Sequence, residues 1–340
     1  MSGTPDEAAP GAPIAVLGAG SWGTALAIQF ARAGRPALLW GRDASQLAVI
    51  AAERCNRRYL PGAEFPAALE VEPALERAVA RALDILLAVP SHAFRATLER
   101  LAPLLGPAQR VAWAAKGFEL ASGRLPHEVA REVLGPDVPI AVLSGPTFAA
   151  EVGRGLPTAM TVASPDANFA AALARALSGQ NFRAYTSPGI VGVEVGGAVK
   201  NVLAIATGIA DGMGYGANTR IALITRGLAE MTRLGVALGA RAETFMGLAA
   251  LGDLVLTCTD DQSRNRRFGL AIAAGATPAE ALRGIGQVVE GVSAARAVRA
   301  VARTANVEMP IAEQVYGVLH EGRDVRGAVR DLMGRGLKSE

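Results

Sequence analysis

Arginine supplies almost all the positive charge in this chain. Of the 34 basic residues among 340, only Lys116, Lys200 and Lys338 are lysines. Arginine stays protonated under any ordinary condition, whereas a lysine withdrawn from water can exchange its proton near neutral pH. The two internal lysines are therefore the candidates for moving a proton, and Lys338, close to the C-terminus, reads as a solvated charge. Lys200 stands in Val195-Gly-Gly-Ala-Val-Lys-Asn201. In a helix, Gly196 and Gly197 lie one turn before it on the same face. Each glycine costs a helix about 1 kcal/mol relative to alanine, which suggests that something must approach the bare backbone there, either a ligand or another part of the chain. Helix packing through small residues beside a surface lysine is the alternative. Lys116, in Ala115-Lys-Gly117, follows the apolar run Arg110–Ala114.

Three further segments carry polar groups suited to a small anionic ligand. Asp253 lies in an otherwise apolar stretch, where an ionised carboxylate must find a partner, and a catalytic lysine is one. Ser263, Arg264 and Asn265 form a donor cluster fit for a phosphate, unless the segment is a solvated charged loop. The loop Gly145-Pro-Thr147 offers backbone and hydroxyl contacts.

The clearest local motif is Gly18-Ala-Gly20-Ser-Trp-Gly23, placed between the run Ile14–Leu17 and a helical pattern. In a dinucleotide site Gly18 makes the tight turn, Gly20 lets backbone approach a pyrophosphate, and Gly23 allows close packing of helix on sheet. The second apolar run, Ala37–Trp40, ends in Gly41-Arg42-Asp43. Arg42 could pair with a 2′-phosphate, and Asp43 could instead hold a ribose hydroxyl or cap the next helix. Arg42 favours NADPH, with NADH also accepted.

The elements that must position these groups show a βαβ rhythm in the first half. Candidate strands are Ile14–Leu17, Ala37–Trp40, Asp84–Val89, Arg110–Ala114, Pro139–Leu143, Ala159–Ala163 and Phe182–Tyr185, with helices such as Thr24–Ala33 and Phe94–Leu105 between them. From about Ser187 only helices are expected: Gly189–Thr207, Thr219–Leu234, Arg241–Leu256, Pro278–Leu282, Ser293–Ala305 and Ile311–Leu319. The expected fold is α/β, with an N-terminal doubly wound (Rossmann-type) parallel sheet domain over 14–187 and an all-helical C-terminal substrate domain over 188–340. Residues 1–13 read as a flexible leader. The ligand crevice should lie between the domains.

Composition narrows the function. The net charge of +3 is no nucleic-acid footprint. Cys55 and Cys258 form neither a disulfide framework nor a metal site. No apolar run long enough to span a bilayer and no secretory signal are read, so a cytoplasmic protein is expected. His92, His127 and His320 have no metal-ligand spacing and receive no catalytic role.

The segments, in order, resemble those of the bacterial NAD(P)-dependent glycerol-3-phosphate dehydrogenase family. The matching pieces are Gly18-Ala-Gly-Ser-Trp-Gly23, Leu39-Trp-Gly-Arg42, Ala115-Lys-Gly117, Ser144-Gly-Pro-Thr-Phe-Ala-Ala-Glu151, Gly192-Val-Glu-Val-Gly-Gly-Ala-Val-Lys-Asn201, Leu251-Gly-Asp-Leu254, Thr257-Cys258, Ser263-Arg-Asn265 and Val289-Glu-Gly291. The glycine motif is common to dinucleotide folds, while the lysine-bearing and Ser-Arg-Asn segments together are specific. The resemblance implies reversible reduction of dihydroxyacetone phosphate to sn-glycerol 3-phosphate, supplying glycerophospholipid synthesis. It also implies that Ser21, Trp22, Arg42, Ala149, Val289 and Glu290 contact the cofactor, and that Lys116 and Arg264 touch both cofactor and substrate. Gly145, Thr147, Asp253, Ser263 and Asn265 fall at the substrate site, and Lys200 exchanges the proton. Burial and the like charges of Lys116 and Arg264 should depress the Lys200 pKa, with Asp253 opposing. Val195 and Val199 stand where the family commonly has leucine. A homodimer is left open. The rival functions are another 3-hydroxy acid or nucleotide-sugar dehydrogenase, a non-catalytic NADP(H) sensor, and a flavoprotein.

Overall fold

The seven candidate strands and one further short strand form a single sheet: β1 (Ile14–Leu17), β2 (Ala37–Trp40), β3 (Leu69–Val71), β4 (Asp84–Leu87), β5 (Arg110–Trp113), β6 (Ile140–Ser144), β7 (Thr158–Ala163) and β8 (Phe182–Ser187). This computed structural model describes residues 11–334. Residues 1–10 of the expected leader, and Lys338, lie outside the described residues. The strand order is β3-β2-β1-β4-β5-β6-β7-β8. The order reverses between β1 and β4, which is where doubly wound sheets open a crevice at their carboxyl edge. β1 is parallel to both β2 and β4, with Leu17 level with Trp40 and Leu87. Their residues are buried on both sheet faces, as the unbroken apolar runs require.

Two features depart from the expected sheet. β3 is a three-residue edge strand with only Leu69 buried, too short to leave an apolar run in the sequence. β7 pairs with β6 antiparallel and with β8 parallel. The connection from β6 to β7 carries only the short helix Ala149–Arg154, and the chain returns beside β6 instead of crossing over to restart parallel to it.

The strands end at Ser187, and helices follow from Ile190. The helix Ile190–Gly212 has the length and hydropathy to cross a bilayer, a run not expected from the sequence, but 89% of its most apolar 18 residues are buried inside the protein. It is the axis of the helical half. The helices Ala217–Ala237, Asp253–Thr259, Arg264–Ala273 and Glu290–Thr304 pack around it. Two bare-backbone crossings bring Arg264–Ala273 against it: a methyl at Gly208 would meet the Arg266 carbonyl at 2.2 Å, and one at Gly269 the Ile205 carbonyl at 2.3 Å.

The expected single helix Arg241–Leu256 is broken into a 3₁₀ segment Ala242–Met246, a π-helical turn Leu248–Gly252, and the α-helix Asp253–Thr259. Gly247 causes the first break, with extended backbone at φ −89° and ψ −179°. The π turn re-aims the chain so that Asp253 starts the last helix with its carboxylate facing inward, 1% exposed.

Candidate active site

The glycine turn sits at the carboxyl end of β1, at the strand-order reversal. Its three glycines serve different needs. Gly18 has φ +129°, and a methyl there would lie 2.5 Å from the Ala88 carbonyl oxygen of the neighbouring strand connection. A methyl at Gly23 would lie 1.9 Å from the Gly18 carbonyl oxygen. A methyl at Gly20 would meet nothing within 4 Å. Gly18 and Gly23 are thus required by the protein's own packing, while Gly20 faces open space.

The helix Ser21–Arg32 begins directly after Gly20, three residues before the expected start at Thr24, with no side chain capping its first turn. Its free N–H groups fit a pyrophosphate. Ser21 and Trp22 occupy that turn, and the Trp22 indole N–H is buried with no partner among the described residues. Asn56, fully buried, donates from Nδ2 to the Ala19 carbonyl at 3.0 Å and to Thr24 Oγ1 at 2.9 Å, fixing the loop. Sequence reasoning did not single out Asn56, because no motif marks a lone asparagine far along the chain.

Past β2, Asp43 caps the helix Ala44–Glu53, accepting from the Gln46 N–H at 3.1 Å and the Ser45 hydroxyl at 2.6 Å. These bonds hold its carboxyl below the ordinary carboxylate range. Arg42 beside it is exposed and makes no hydrogen bond or ion pair with any described residue. The residue free to meet a ligand at this edge is therefore the arginine. Together the turn, the open Gly20 and Arg42 fit a dinucleotide carrying a 2′-phosphate.

The chemical centre lies where the two halves meet. Asp253 bridges both internal lysines, with Lys116 Nζ donating to Oδ2 at 2.6 Å and Lys200 Nζ to Oδ1 at 2.5 Å. Lys200 Nζ also donates to Thr257 Oγ1 at 2.9 Å, and that hydroxyl donates to the Asp253 carbonyl at 2.6 Å. Thr257 sits one helical turn after Asp253, a spacing that could have flagged it. Lys200 is only 7% exposed.

Burial pulls the Lys200 ammonium down from 10.5 to about 8, Asp253 pulls it back up, and Lys116 pushes it down. Burial therefore prevails over the carboxylate, and Lys116 is the leading like charge. Asp253 is held below the ordinary aspartate value, because the lysines more than offset the burial that would raise it.

The glycines before Lys200 are explained by two close approaches. A methyl at Gly197 would press on the Lys116 side chain, 3.3 Å from Cγ, so the bare backbone is where Lys116 crosses from the α/β half. A methyl at Gly196 would meet the Ala249 carbonyl at 2.9 Å, in the π turn that leads to Asp253.

The remaining candidates surround this centre unequally. Gly145, whose methyl would meet Met160 Cα at 2.8 Å, and Thr147 lie in the loop after β6, where Pro146 packs 3.5 Å from the position of a methyl on Gly252. That places the loop against the residue preceding Asp253. Ala149 opens the following helix.

Ser263, Arg264 and Asn265 are not three free donors. Ser263 Oγ caps the helix Arg264–Ala273 by accepting the Arg266 N–H at 3.2 Å. Asn265 is 8% exposed, donates to Asn201 Oδ1 at 2.8 Å, and accepts the Gly291 N–H at 2.8 Å. Arg264 is half-buried, with only a 3.5 Å contact to Gln287, and is the one cation of the three able to turn to a phosphate. Asn201, next to Lys200, also reaches Glu290 Oε2 at 3.5 Å. Val289, 5% exposed, precedes the helix Glu290–Thr304 without a capping bond from its side chain. Asn265 thus ties the helix starts at Arg264 and Glu290 to the lysine-bearing helix.

Cys258 is buried and its thiol is pushed up to about 12, so it stays protonated. Among the described residues no cluster of His, Cys, Asp and Glu could hold a metal.

Residues 13–170 match the family described as NAD-dependent glycerol-3-phosphate dehydrogenase N-terminus, and residues 189–330 match the corresponding C-terminus. The chain is 55% identical over 332 residues to the glycerol-3-phosphate dehydrogenase [NAD(P)+] of Edwardsiella ictaluri, covering 97% of this chain and 98% of that protein. The crystal structure of glycerol-3-phosphate dehydrogenase from Coxiella burnetii is 49% identical and superposes with a TM-score of 0.91, over 95% of this chain and 99% of that one. D-mandelate dehydrogenase, at 14% identity and a TM-score of 0.61, shares the fold alone. On sequence, on architecture and on the extent of both matches, the chain belongs to the NAD-dependent glycerol-3-phosphate dehydrogenase family.

Proposed function

We propose that this protein reversibly reduces dihydroxyacetone phosphate to sn-glycerol 3-phosphate with NADPH, and with NADH as a second cofactor. The observation that carries the reading is the buried Lys200, bridged through Asp253 to Lys116 where the two halves meet. A nicotinamide dinucleotide, when bound, supplies the hydride. The protein must hold the ketone and give its oxygen a proton as negative charge develops there. Lys200, lowered to about 8, is protonated at neutral pH yet can release the proton, which an arginine could not. Asp253 and Thr257 fix its direction. Lys116 adds positive charge from the α/β side, and we assign Arg264 to the substrate phosphate.

In this reading Gly18, Gly20, Ser21, Trp22, Gly23 and Arg42 receive the cofactor at the carboxyl edge of β1 and β2. Ala149, Val289 and Glu290 close its site. Gly145, Thr147 and Ser263 line the substrate, and Asn265 acts through its bonds to Asn201 and Gly291. The partition at residues 187 and 188, a cytoplasmic location and a supply of glycerophospholipid precursors complete the proposal.

The test follows loss of NADPH absorbance with dihydroxyacetone phosphate, and with dihydroxyacetone as the unphosphorylated control. Rapid turnover of the phosphate ester alone is expected. Equal turnover of both ketones would remove the phosphate site, and turnover of neither would overturn the reading.

A further inference from the structure

Glu194 is a buried carboxylate that the reaction does not use. It is 4% exposed and lies on the helix that carries Lys200. It accepts three hydrogen-bond contacts from the α/β half: the Trp113 indole N–H at 3.1 Å, the His127 backbone N–H at 3.0 Å, and the His127 ring Nδ1 at 2.6 Å. Burial raises the Glu194 carboxyl, with His127 and Trp113 opposing. Burial also weighs against the His127 ring charge, but the bond and charge of Glu194 overcome it and leave that ring above the ordinary histidine value.

The placement of these bonds is regular. Trp113 ends β5 and Lys116 follows it by three residues; Glu194 is followed three residues later by Gly197, against which the Lys116 side chain lies. Three residues further along the helix stands Lys200. The strand exit and the helix therefore meet twice in matching steps, once through Glu194 and once through the lysine stem. Around Glu194 the helix presents Val193, Val195, Gly196, Gly197, Ala198 and Val199. Contacts through such small apolar residues are non-directional and permit sliding. A buried carboxylate with three directed bonds does not. Nor is stability its evident return, since a buried pair replaced whole by apolar residues of similar volume often costs little, although removing Glu194 alone leaves Trp113 and His127 unpaired and lowers Tm.

We propose that Glu194 is a positioning residue that sets the register of the lysine-bearing helix against the end of β5, and thereby the placement of Lys200 and Lys116 on their shared carboxylate. The inference rests on the catalytic reading of Lys200. Glu194→Met fills the same space without the bonds, and Glu194→Gln retains an acceptor for Trp113 and an amide able to meet the His127 ring.

Glu194→Met is expected to fold, to bind NADPH as the wild type does, and to lose between about 10- and 100-fold in kcat, the scale of a misplacement near 1 Å. Its kcat pH midpoint should move up from about 8 toward the ordinary 10.5, because a loosened Lys200 is less desolvated. Glu194→Gln should restore most of both. A merely structural residue would lower Tm while leaving kcat per folded molecule and the midpoint in place, and that result overturns the proposal. If Glu194→Met does not fold, Trp113→Phe removes one bond while keeping an aromatic six-membered ring in the buried site; unchanged kcat and midpoint there are equally adverse. The pH dependence of Lys200 labelling by an amine-reactive reagent, read by mass spectrometry, reports the same displacement without turnover. A wild type inactive on dihydroxyacetone phosphate therefore overturns the substrate assignment, while a labelling midpoint identical in wild type and Glu194→Met overturns this inference.

Discussion

A single carboxylate brings two lysines from opposite halves together. Asp253 holds Lys116 and Lys200 at once, and the Lys200 ammonium, drawn down to about 8 by burial, remains the acid form at neutral pH. The two reaction directions should therefore titrate oppositely. Ketone reduction needs the ammonium, so its kcat should be level below about 8 and fall as pH rises through that value; glycerol 3-phosphate oxidation needs the free amine and should rise across the same window. Parallel pH profiles in the two directions would exclude one shared group. Lys200→Ala should cut kcat by about 100-fold or more while NADPH binding, followed by fluorescence, persists. At the other end of the site, Asp43 is engaged in capping and Arg42 is not. Arg42→Asp should reverse the cofactor preference, with NADPH losing at least about tenfold in kcat/KM as a charge-assisted contact of about 1.5–3 kcal/mol is lost. Retained preference would place the 2′-phosphate elsewhere.

The turn between β1 and the helix Ser21–Arg32 separates residues that build the fold from one reserved for the ligand. A methyl at Gly23 has nowhere to go, with the Gly18 carbonyl 1.9 Å away, whereas one at Gly20 meets no protein atom within 4 Å. Gly23→Ala should lower Tm and yield little folded protein. Gly20→Ala should melt close to the wild type, yet bind NADPH at least about tenfold more weakly, since the methyl occupies the path of a pyrophosphate. Thermal melts and NADPH titrations of the two variants test this directly; equal effects on both properties would contradict the division. The π turn Leu248–Gly252 works at the same scale, interrupting a helix so that Asp253 faces the lysines.

At the scale of the molecule, the crevice joins an eight-stranded sheet to helices packed around Ile190–Gly212. The linked charges come from both sides, Lys116 from one and Lys200 with Asp253 from the other. A ligand gripping both should stabilise them together. NADPH at 100 times its Kd adds about 2.7 kcal/mol to folding, which should raise Tm by a few degrees in one cooperative transition. A second transition left unmoved by NADPH would show that only one half feels the cofactor. The net charge of +3 is small, and two of the cations, Lys116 and Lys200, are drawn together on Asp253 between the two halves.

Much of this was legible in the chain itself. Short apolar stretches at a βαβ rhythm marked seven of the eight strands, several of them unbroken runs such as Ile14–Leu17 and Ala37–Trp40, because parallel strands covered on both faces are apolar throughout. The three-residue β3 escaped, being too short to leave a pattern. The scarcity of lysine pointed to Lys116 and Lys200, since a buried lysine can release its proton and an arginine cannot. Gly196 and Gly197 announced a close approach without naming the partner.

Other features depend on residues far apart in sequence, and only the folded chain decided them. The reversal at β7 follows from how a short connection returns beside β6. Ser263 and Asn265, which read as ligand donors, are engaged in capping and in tying helix starts together. The contest over Lys200 turned on burial, which no local sequence records, against a carboxylate 53 residues away. Sequence determines which groups can do chemistry and which segments are strand or helix, because those depend on side-chain type and local period. Their proton affinity and mutual distance arise from desolvation and packing between distant segments, and exist only in the tertiary structure.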